Sequence, residues 1–370
     1  MKRVLYIGGF ELPDKNAAAQ RVITNAMLLR EIGFEVSFIG ISKDIENAPH
    51  IVDGFVSNPV PYPKSVNQWM HQIFTFIESS KILAHKPDYV VFYNFPAIAS
   101  LRILNTCHKN GIKVVHDITE WESNNGWLPS DIMRRIDINL RMRYCIKKMD
   151  GVIAISKYLY NYYKDYTTTI LVPPTVDLNN PKFCRNRELL SSDKITRLVY
   201  AGSTGRAATK DRLDIIIKEV NTLPHVKLDI VGQTEGQFRT VFGNDVEIGD
   251  NILFHGRVSN TDAVKFVCDA DFQMLIRENT LKNKAGFPTK FVESMSCCTP
   301  LIATLTSNIG DYLQDGINGF VVSDEYPLGE VLKKAANLSS AEKIKMKEAC
   351  RQLYCFDYRN SKESFQEIFK

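Results

Sequence analysis

From Tyr200 to Ile217 the chain reads YAGSTGRAATKDRLDIII. Gly202, Ser203 and Gly205 place small residues at the end of a β-branched run, and Arg206 and Lys210 follow before a helical pattern begins. A glycine-rich turn lets backbone amides approach an anion. A helix N-terminus adds positive potential, and two cations supply charge-assisted hydrogen bonds. The chemistry this suits is the cradling of a diphosphate. A flexible loop with solvated cations is the competing reading. Further on, RENTLKNKAGFPTKFVESMSCCTPLIAT (277–304) leaves a strand at Arg277 and Glu278 and turns at Gly286, Phe287 and Pro288. It then enters a helix carrying Thr289, Lys290 and Glu293. In the first half, IKVVHDITEW sets His116 and Asp117 at the carboxyl end of a strand, where ligands bind in open α/β sheets. Glu120 stands beside Trp121, a carboxylate next to a ring on which a sugar can stack.

The elements that must position these residues are legible as an alternation. Short β-branched runs (3–8, 35–40, 89–93, 113–116 and 152–155) alternate with amphipathic stretches such as 17–32, the pattern of βαβ units on a parallel sheet. Periodicity stops over 177–193, where Asn, Pro, Arg and Ser accumulate, and then restarts at 197–201. This predicts two doubly wound α/β domains joined by a linker: 1–176, a linker at 177–193, and 194–354, with 355–370 as a terminal helix. The length, 370 residues, suffices for two cores. The first strand ends in Gly8-Gly9-Phe10 rather than GxGxxG, and no acidic residue caps the second, which disfavours a nicotinamide dehydrogenase.

A net charge of +4 is too mild for a dedicated nucleic-acid binder. The eight cysteines form no CxxC pair, so neither a zinc site nor a disulfide framework is expected and a reducing cytoplasm fits. The first apolar run is too short for a signal peptide, and no segment approaches a membrane span. RRIDINLRMRYCIKK (134–148) reads as a basic amphipathic helix, with Ile136, Leu140 and Tyr144 on one side. Such a helix either lies on an anionic membrane from the cytoplasmic side or packs its apolar stripe on the sheet.

The 277–322 segment resembles the donor-binding signature of family 4 glycosyltransferases, which have the GT-B fold. The Gly286-Phe287 turn, Glu293, Thr299-Pro300, Asn308-Ile309-Gly310 and Asn318-Gly319-Phe320-Val321-Val322 follow in the family's order. The resemblance implies two Rossmann-like domains facing each other across a cleft, and a last helix, 358–370, crossing back to the first. It implies a retaining transferase that uses a UDP- or GDP-sugar, with no metal and no cofactor. Glu293 would hold the nucleotide ribose, and Arg206 and Lys210 the diphosphate. Gly286 and Phe287 would meet donor-sugar hydroxyls or phosphate, with Pro288, Thr289 and Lys290 matching a variant of that turn. Gly202, Ser203, Gly205, Arg277 and Glu278 complete the donor side. Two positions depart from the family: Ala285 replaces its first Glu, and Asp211 stands where Gly often follows the Lys.

On the acceptor side the resemblance implies His116 near the reacting carbon and leaving phosphate, so that His116, Arg206 and Lys210 are the catalytic candidates. Gly9, Arg21, Asp117 and Glu120 are the acceptor candidates, with Asp117 and Glu120 orienting the hydroxyl. A structural histidine at 116 and a surface arginine at 21 remain alternatives. Ser156 and Lys157 would border the cleft. The implied acceptor is a saccharide or lipid-linked molecule, in bacterial surface polysaccharide or glycolipid assembly. Two rival functions stay open: a GT-B sugar-nucleotide epimerase, and a catalytically silent binding subunit motivated by Ala285.

Overall fold

The computed structural model describes the chain apart from residues 14–16, 47, 49, 122–127 and 204–210. The chain divides into two compact units, one made of Met1–Thr175 with Tyr358–Lys370 and the other of Val176–Asp357.

The first unit holds β1 (Lys2–Gly8), β2 (Phe34–Ile39), β3 (Ile41–Ser42), β4 (Ile51–Val52), β5 (Phe55–Ser57) and β6 (Val60–Pro61). It continues with β7 (Tyr89–Tyr93), β8 (Lys113–Ile118), β9 (Gly151–Ala154) and β10 (Thr169–Leu171). Its helices are α1 (Ala17–Glu31), α2 (Val66–Phe74), α3 (Ser79–Ala84), α4 (Ala97–Lys109), α5 (Pro129–Leu140) and α6 (Lys157–Tyr163). Eight strands form one sheet in the order β10-β9-β8-β7-β1-β2-β5-β4, parallel except for the β4–β5 pair at one edge. The central strands are apolar almost throughout because helices cover both faces: YVVFY of β7 is buried at every position. One core packs α1 against the sheet and the other packs α4. Gly8 is required where β1 passes β7, since a Cβ there would lie 2.2 Å from the Tyr93 carbonyl oxygen.

The second unit holds β11 (Thr196–Ala201), β12 (Val226–Val231), β13 (Ile252–Gly256), β14 (Phe272–Leu275), β15 (Leu301–Thr304) and β16 (Gly319–Val322). Its helices are α7 (Leu213–Val220), α8 (Glu235–Phe242), α9 (Asn260–Asp269), α10 (Leu281–Ala285), α11 (Thr289–Ser296), α12 (Leu328–Ala336) and α13 (Ser340–Arg351). All six strands are parallel in the order β13-β12-β11-β14-β15-β16, the doubly wound arrangement. The chain then returns to the first unit through a 3-10 turn (Tyr358–Ser361) and α14 (Lys362–Ile368). There Phe365, Ile368 and Phe369 are buried, with the Phe369 ring 5.9 Å from Phe34 and 5.1 Å from Tyr89.

Residues 177–193, read from the sequence as a linker, belong to the second unit and pack on it. Phe183 is buried in the core beside α9. The carbonyl oxygens of Ser192 and Leu190 accept from the buried Lys343 and Lys347 ammoniums at 3.1 and 2.9 Å. Lost periodicity marked the end of regular elements there. It did not mark the end of packing, because carbonyls that satisfy buried lysines carry no side-chain pattern.

Candidate functional site

In the second sheet the strand order reverses between β11 and β14, and the crevice outside the carboxyl ends at such a point is where open α/β sheets bind ligands. β11 runs out into Gly202 at φ +134°, whose N–H donates to the Val231 carbonyl at 2.7 Å. A Cβ on Gly202 would meet Lys290 Cε at 2.5 Å and Nζ at 2.8 Å. Gly232, at φ +108° after β12, would in turn press a Cβ to within 2.9 Å of the Gly202 carbonyl carbon. Two glycines thus let two strand ends and one lysine share a space that side chains would fill.

Into this space turns Asp211. Its Oδ1 accepts from Arg277 Nε at 2.5 Å, and its Oδ2 from Lys290 Nζ at 2.5 Å and the Tyr200 hydroxyl at 2.8 Å. Burial alone would push the carboxyl up, but Lys290 and Arg277 together outweigh it and hold it well below the usual range. The same burial, with Asp211 beside it, drives the Tyr200 phenol far above its ordinary value, so the hydroxyl stays a donor. The sequence marked Asp211 only as a departure from glycine. Its partners lie 66 and 79 residues further along the chain, beyond the reach of any local pattern.

α11 follows the Gly286-Phe287-Pro288 turn. Phe287 is buried against Phe291, Tyr312 and Phe356, Pro288 caps the helix, and Thr289 is exposed. Glu293 lies one turn into α11, half-buried, with no hydrogen-bond or ion-pair partner for its carboxylate among the described residues. Burial raises its pKa, opposed by Lys182 and Lys290. Lys182 comes from the segment expected as a linker and was not foreseen as part of the site. Ala285 is fully buried, which leaves a motif carboxylate no place there. Glu278 points to solvent and pairs with Arg212 at 2.6 Å. Ser203 is exposed, while Gly205, Arg206 and Lys210 lie outside the described residues. No group of three or more His, Cys, Asp or Glu residues placed to hold a metal occurs among the described residues.

In the first unit, Asp117 ends β8 and is fully buried. Arg21 of α1 grips it at 2.8 Å through Nη2 and 2.9 Å through Nε, the Tyr6 hydroxyl donates at 2.6 Å, and Asn25 at 3.1 Å. Arg21 also donates to the Val172 carbonyl at 3.0 Å, tying α1 to the end of β10. These two acceptor candidates are therefore spent on one another. Gly9 is exposed, and Glu120 is partly exposed beside the buried Trp121. His116 faces the opposite side of β8 and is fully buried, with neither ring nitrogen hydrogen-bonded among the described residues. Burial, aided by Arg141, pushes its pKa down to about 3, so the ring is neutral at pH 7. Ser156 caps α6 by accepting from the Leu159 N–H, and Lys157 opens that helix, exposed.

The 134–148 stretch is not one continuous α-helix. α5 ends at Leu140, a π-helical turn spans Arg141–Cys145 and a 3-10 turn Ile146–Lys148. Arg141, grouped in the sequence with the cations of the amphipathic helix, turns inward and donates to the Asn94 and Phe95 carbonyls at 3.1 and 3.4 Å. Leu128, Ile136 and Tyr144 are 67%, 61% and 48% exposed, so much of the apolar stripe faces outward.

Residues 196–338 match the family profile described as Glycosyl transferases group 1. No curated protein sequence matches this one. Among solved structures, sucrose-phosphate synthase from Thermosynechococcus elongatus superposes with a TM-score of 0.75 at 13% identity, over 100% of this chain and 98% of that one. Anabaena HepE in complex with UDP and glucose gives 0.66 at 13% identity, over 100% and 99%. The lipopolysaccharide outer core galactosyltransferase WaaB gives 0.64 at 15% identity, over 99% of each. At these identities the likeness establishes the fold, that of GT-B proteins with two Rossmann-like units.

The Arg21–Asp117 pair yields a stability test. Arg21→Met leaves a buried carboxylate without its cation and should lower the unfolding free energy by about 3 to 5 kcal/mol, whereas Arg21→Met with Asp117→Asn should recover much of that loss. Urea denaturation of both variants checks it. A single variant as stable as the parent would contradict the pairing.

Proposed function

We propose that this chain, a glycosyltransferase whose residues 196–338 match the group 1 family, transfers a sugar with retention of configuration from a nucleotide-diphosphate sugar. The acceptor is a saccharide or lipid-linked molecule, in surface polysaccharide or glycolipid synthesis of the bacterial kind. The observation that carries the donor half is the convergence on one strand-order reversal of Gly202, Arg277, Lys290 and the start of α11, with Glu293 one turn beyond. Support for the donor class comes from Anabaena HepE, whose structures are described as complexes with UDP and with UDP-glucose. WaaB, named as a lipopolysaccharide galactosyltransferase, supports the surface-glycan setting.

In this reading the donor's diphosphate lies at the end of β11 and Glu293 accepts from the ribose hydroxyls. Arg206 and Lys210 stabilise the charge that grows on the leaving phosphate as the glycosidic bond breaks. Only attraction that strengthens toward the transition state accelerates the step, and preorganised cations supply it without a metal. The acceptor hydroxyl attacks from the face that the diphosphate leaves. His116 is assigned to the reacting centre. Its two unpaired ring nitrogens support this, because a buried polar atom without a partner costs about 1 to 3 kcal/mol and a purely structural histidine would normally be satisfied.

Glu293 provides the direct test. Glu293→Gln should weaken UDP binding by roughly 10- to 150-fold, the scale of one lost charged hydrogen bond. The parent's pKa at this position is raised, so ionised Glu293 costs stability above that pKa and the cost fades as pH falls through it. The Gln variant should therefore melt higher than the parent at pH 7 while binding UDP less well. Parental affinity by calorimetry, in a folded variant, would remove Glu293 from the site.

A membrane role for the face around 134–148 is the second reading, favoured by the outward Leu128, Ile136 and Tyr144 beside Arg143, Lys147 and Lys148. No helix among the described residues is long and apolar enough to cross a membrane. Each cation near an anionic surface contributes about 1 kcal/mol. Replacing Arg143, Lys147 and Lys148 with Gln should abolish most co-sedimentation with anionic liposomes at low salt, and equal pelleting of variant and parent would exclude this face.

A further inference from the structure

Asp211 directly follows Lys210 in the sequence, at a position where the family resemblance calls for glycine. Its side chain is 1% exposed and is shared by Arg277, Lys290 and Tyr200, which come from the end of β14, the first turn of α11 and β11. The Lys290 ammonium is bracketed on its other sides. It sits 3.8 Å over the Tyr200 ring, and it occupies the space that a side chain at Gly202 would need. Arg277 is fixed through its backbone as well, exchanging hydrogen bonds of 2.8 Å with the Thr304 hydroxyl. Two cations on one carboxylate leave a net charge of +1 at the carboxyl edge of the sheet. A phosphate oxygen arriving there must share both cations with an anion the protein already holds.

We propose that Asp211 is a positioning residue of the donor site, an internal counter-anion that fixes Lys290 and Arg277 before the donor arrives and restrains their grip on the diphosphate in the ground state. The proposal rests on the nucleotide-sugar reading given above. Without Asp211 the two cations repel each other with no carboxylate shared between them, so a diphosphate oxygen gains by taking the vacated role. Attraction gained equally in ground and transition states tightens binding without raising turnover, whereas cations held in place beforehand need no rearrangement when charge develops. A carboxylate placed among the donor-binding cations thus trades affinity for order.

The experiment is a calorimetric titration of UDP and, separately, GDP into the parent and Asp211→Asn at two salt concentrations. The variant is expected to bind the diphosphate that the parent prefers about tenfold more tightly, the scale of one added charged contact. Its affinity should also fall more steeply as salt rises. Because taking the shared carboxylate from two buried cations weakens the fold, the same change is also made beside Lys290→Met. Lys290→Met with Asp211→Asn should again bind more tightly than Lys290→Met alone, since Arg277 is released in both cases. A carboxylate that only braces the fold gives equal or weaker binding in both backgrounds, and that result overturns the proposal. A parent that binds neither diphosphate would overturn the nucleotide-sugar reading instead, and this proposal with it.

Discussion

A carboxylate buried at the carboxyl edge of a parallel sheet must be given cations and hydroxyls, and in both units of this chain that requirement organises the edge. In the first unit Asp117 gathers Arg21, Tyr6 and Asn25; in the second Asp211 gathers Arg277, Lys290 and Tyr200. Each set joins helices and strands far apart in sequence at a place where backbone amides and carbonyls run out of ladder partners. Removing one member leaves the others with charge they cannot share with water, so these sets fix geometry more than they add net stability.

The two sets diverge in what they leave open. In the first unit Arg21 is entirely enclosed and its spare N–H groups go to backbone carbonyls. In the second unit the cations outnumber the carboxylate, and a second carboxylate, Glu293, lies a turn along α11 without a partner among the described residues. An excess of positive charge beside an unpaired acceptor suits a ligand with a diphosphate at one end and hydroxyls next to it. The glycines belong to the same edge, because a side chain at Gly202 would collide with Lys290 and one at Gly232 with the Gly202 backbone.

Much of the architecture was legible because parallel strands covered on both faces must be short apolar runs, and runs such as YVVFY and TRLVYA admit little else. The donor-side order from Gly286 to Val322 was legible as a motif. The ion pairs were not, since Asp211 meets Arg277 across 66 residues and Arg21 meets Asp117 across 96. One signal did exist: RVLYIG (3–8) and RLVYAG (197–202) place Arg, Tyr and Gly identically, and in each the tyrosine hydroxyl reaches a buried carboxylate. Residues 177–193 misled for the opposite reason, as they pack through scattered groups with no periodic pattern, among them Phe183, Lys182 and the carbonyls of Leu190 and Ser192. Arg141 likewise looked like a surface cation until a π-helical turn swung it toward Asn94 and Phe95.

In the proposed function a nucleoside diphosphate binds at the strand-order reversal of the second unit. Backbone amide hydrogen exchange, followed by mass spectrometry with and without saturating UDP or GDP, addresses it directly, because ligand contact and local ordering both slow exchange. Protection should rise in peptides covering 200–203, 232–234 and 286–293, with the β13 and β16 edges unchanged. A bound diphosphate that protects none of these three segments, or only segments of the first unit, would contradict it.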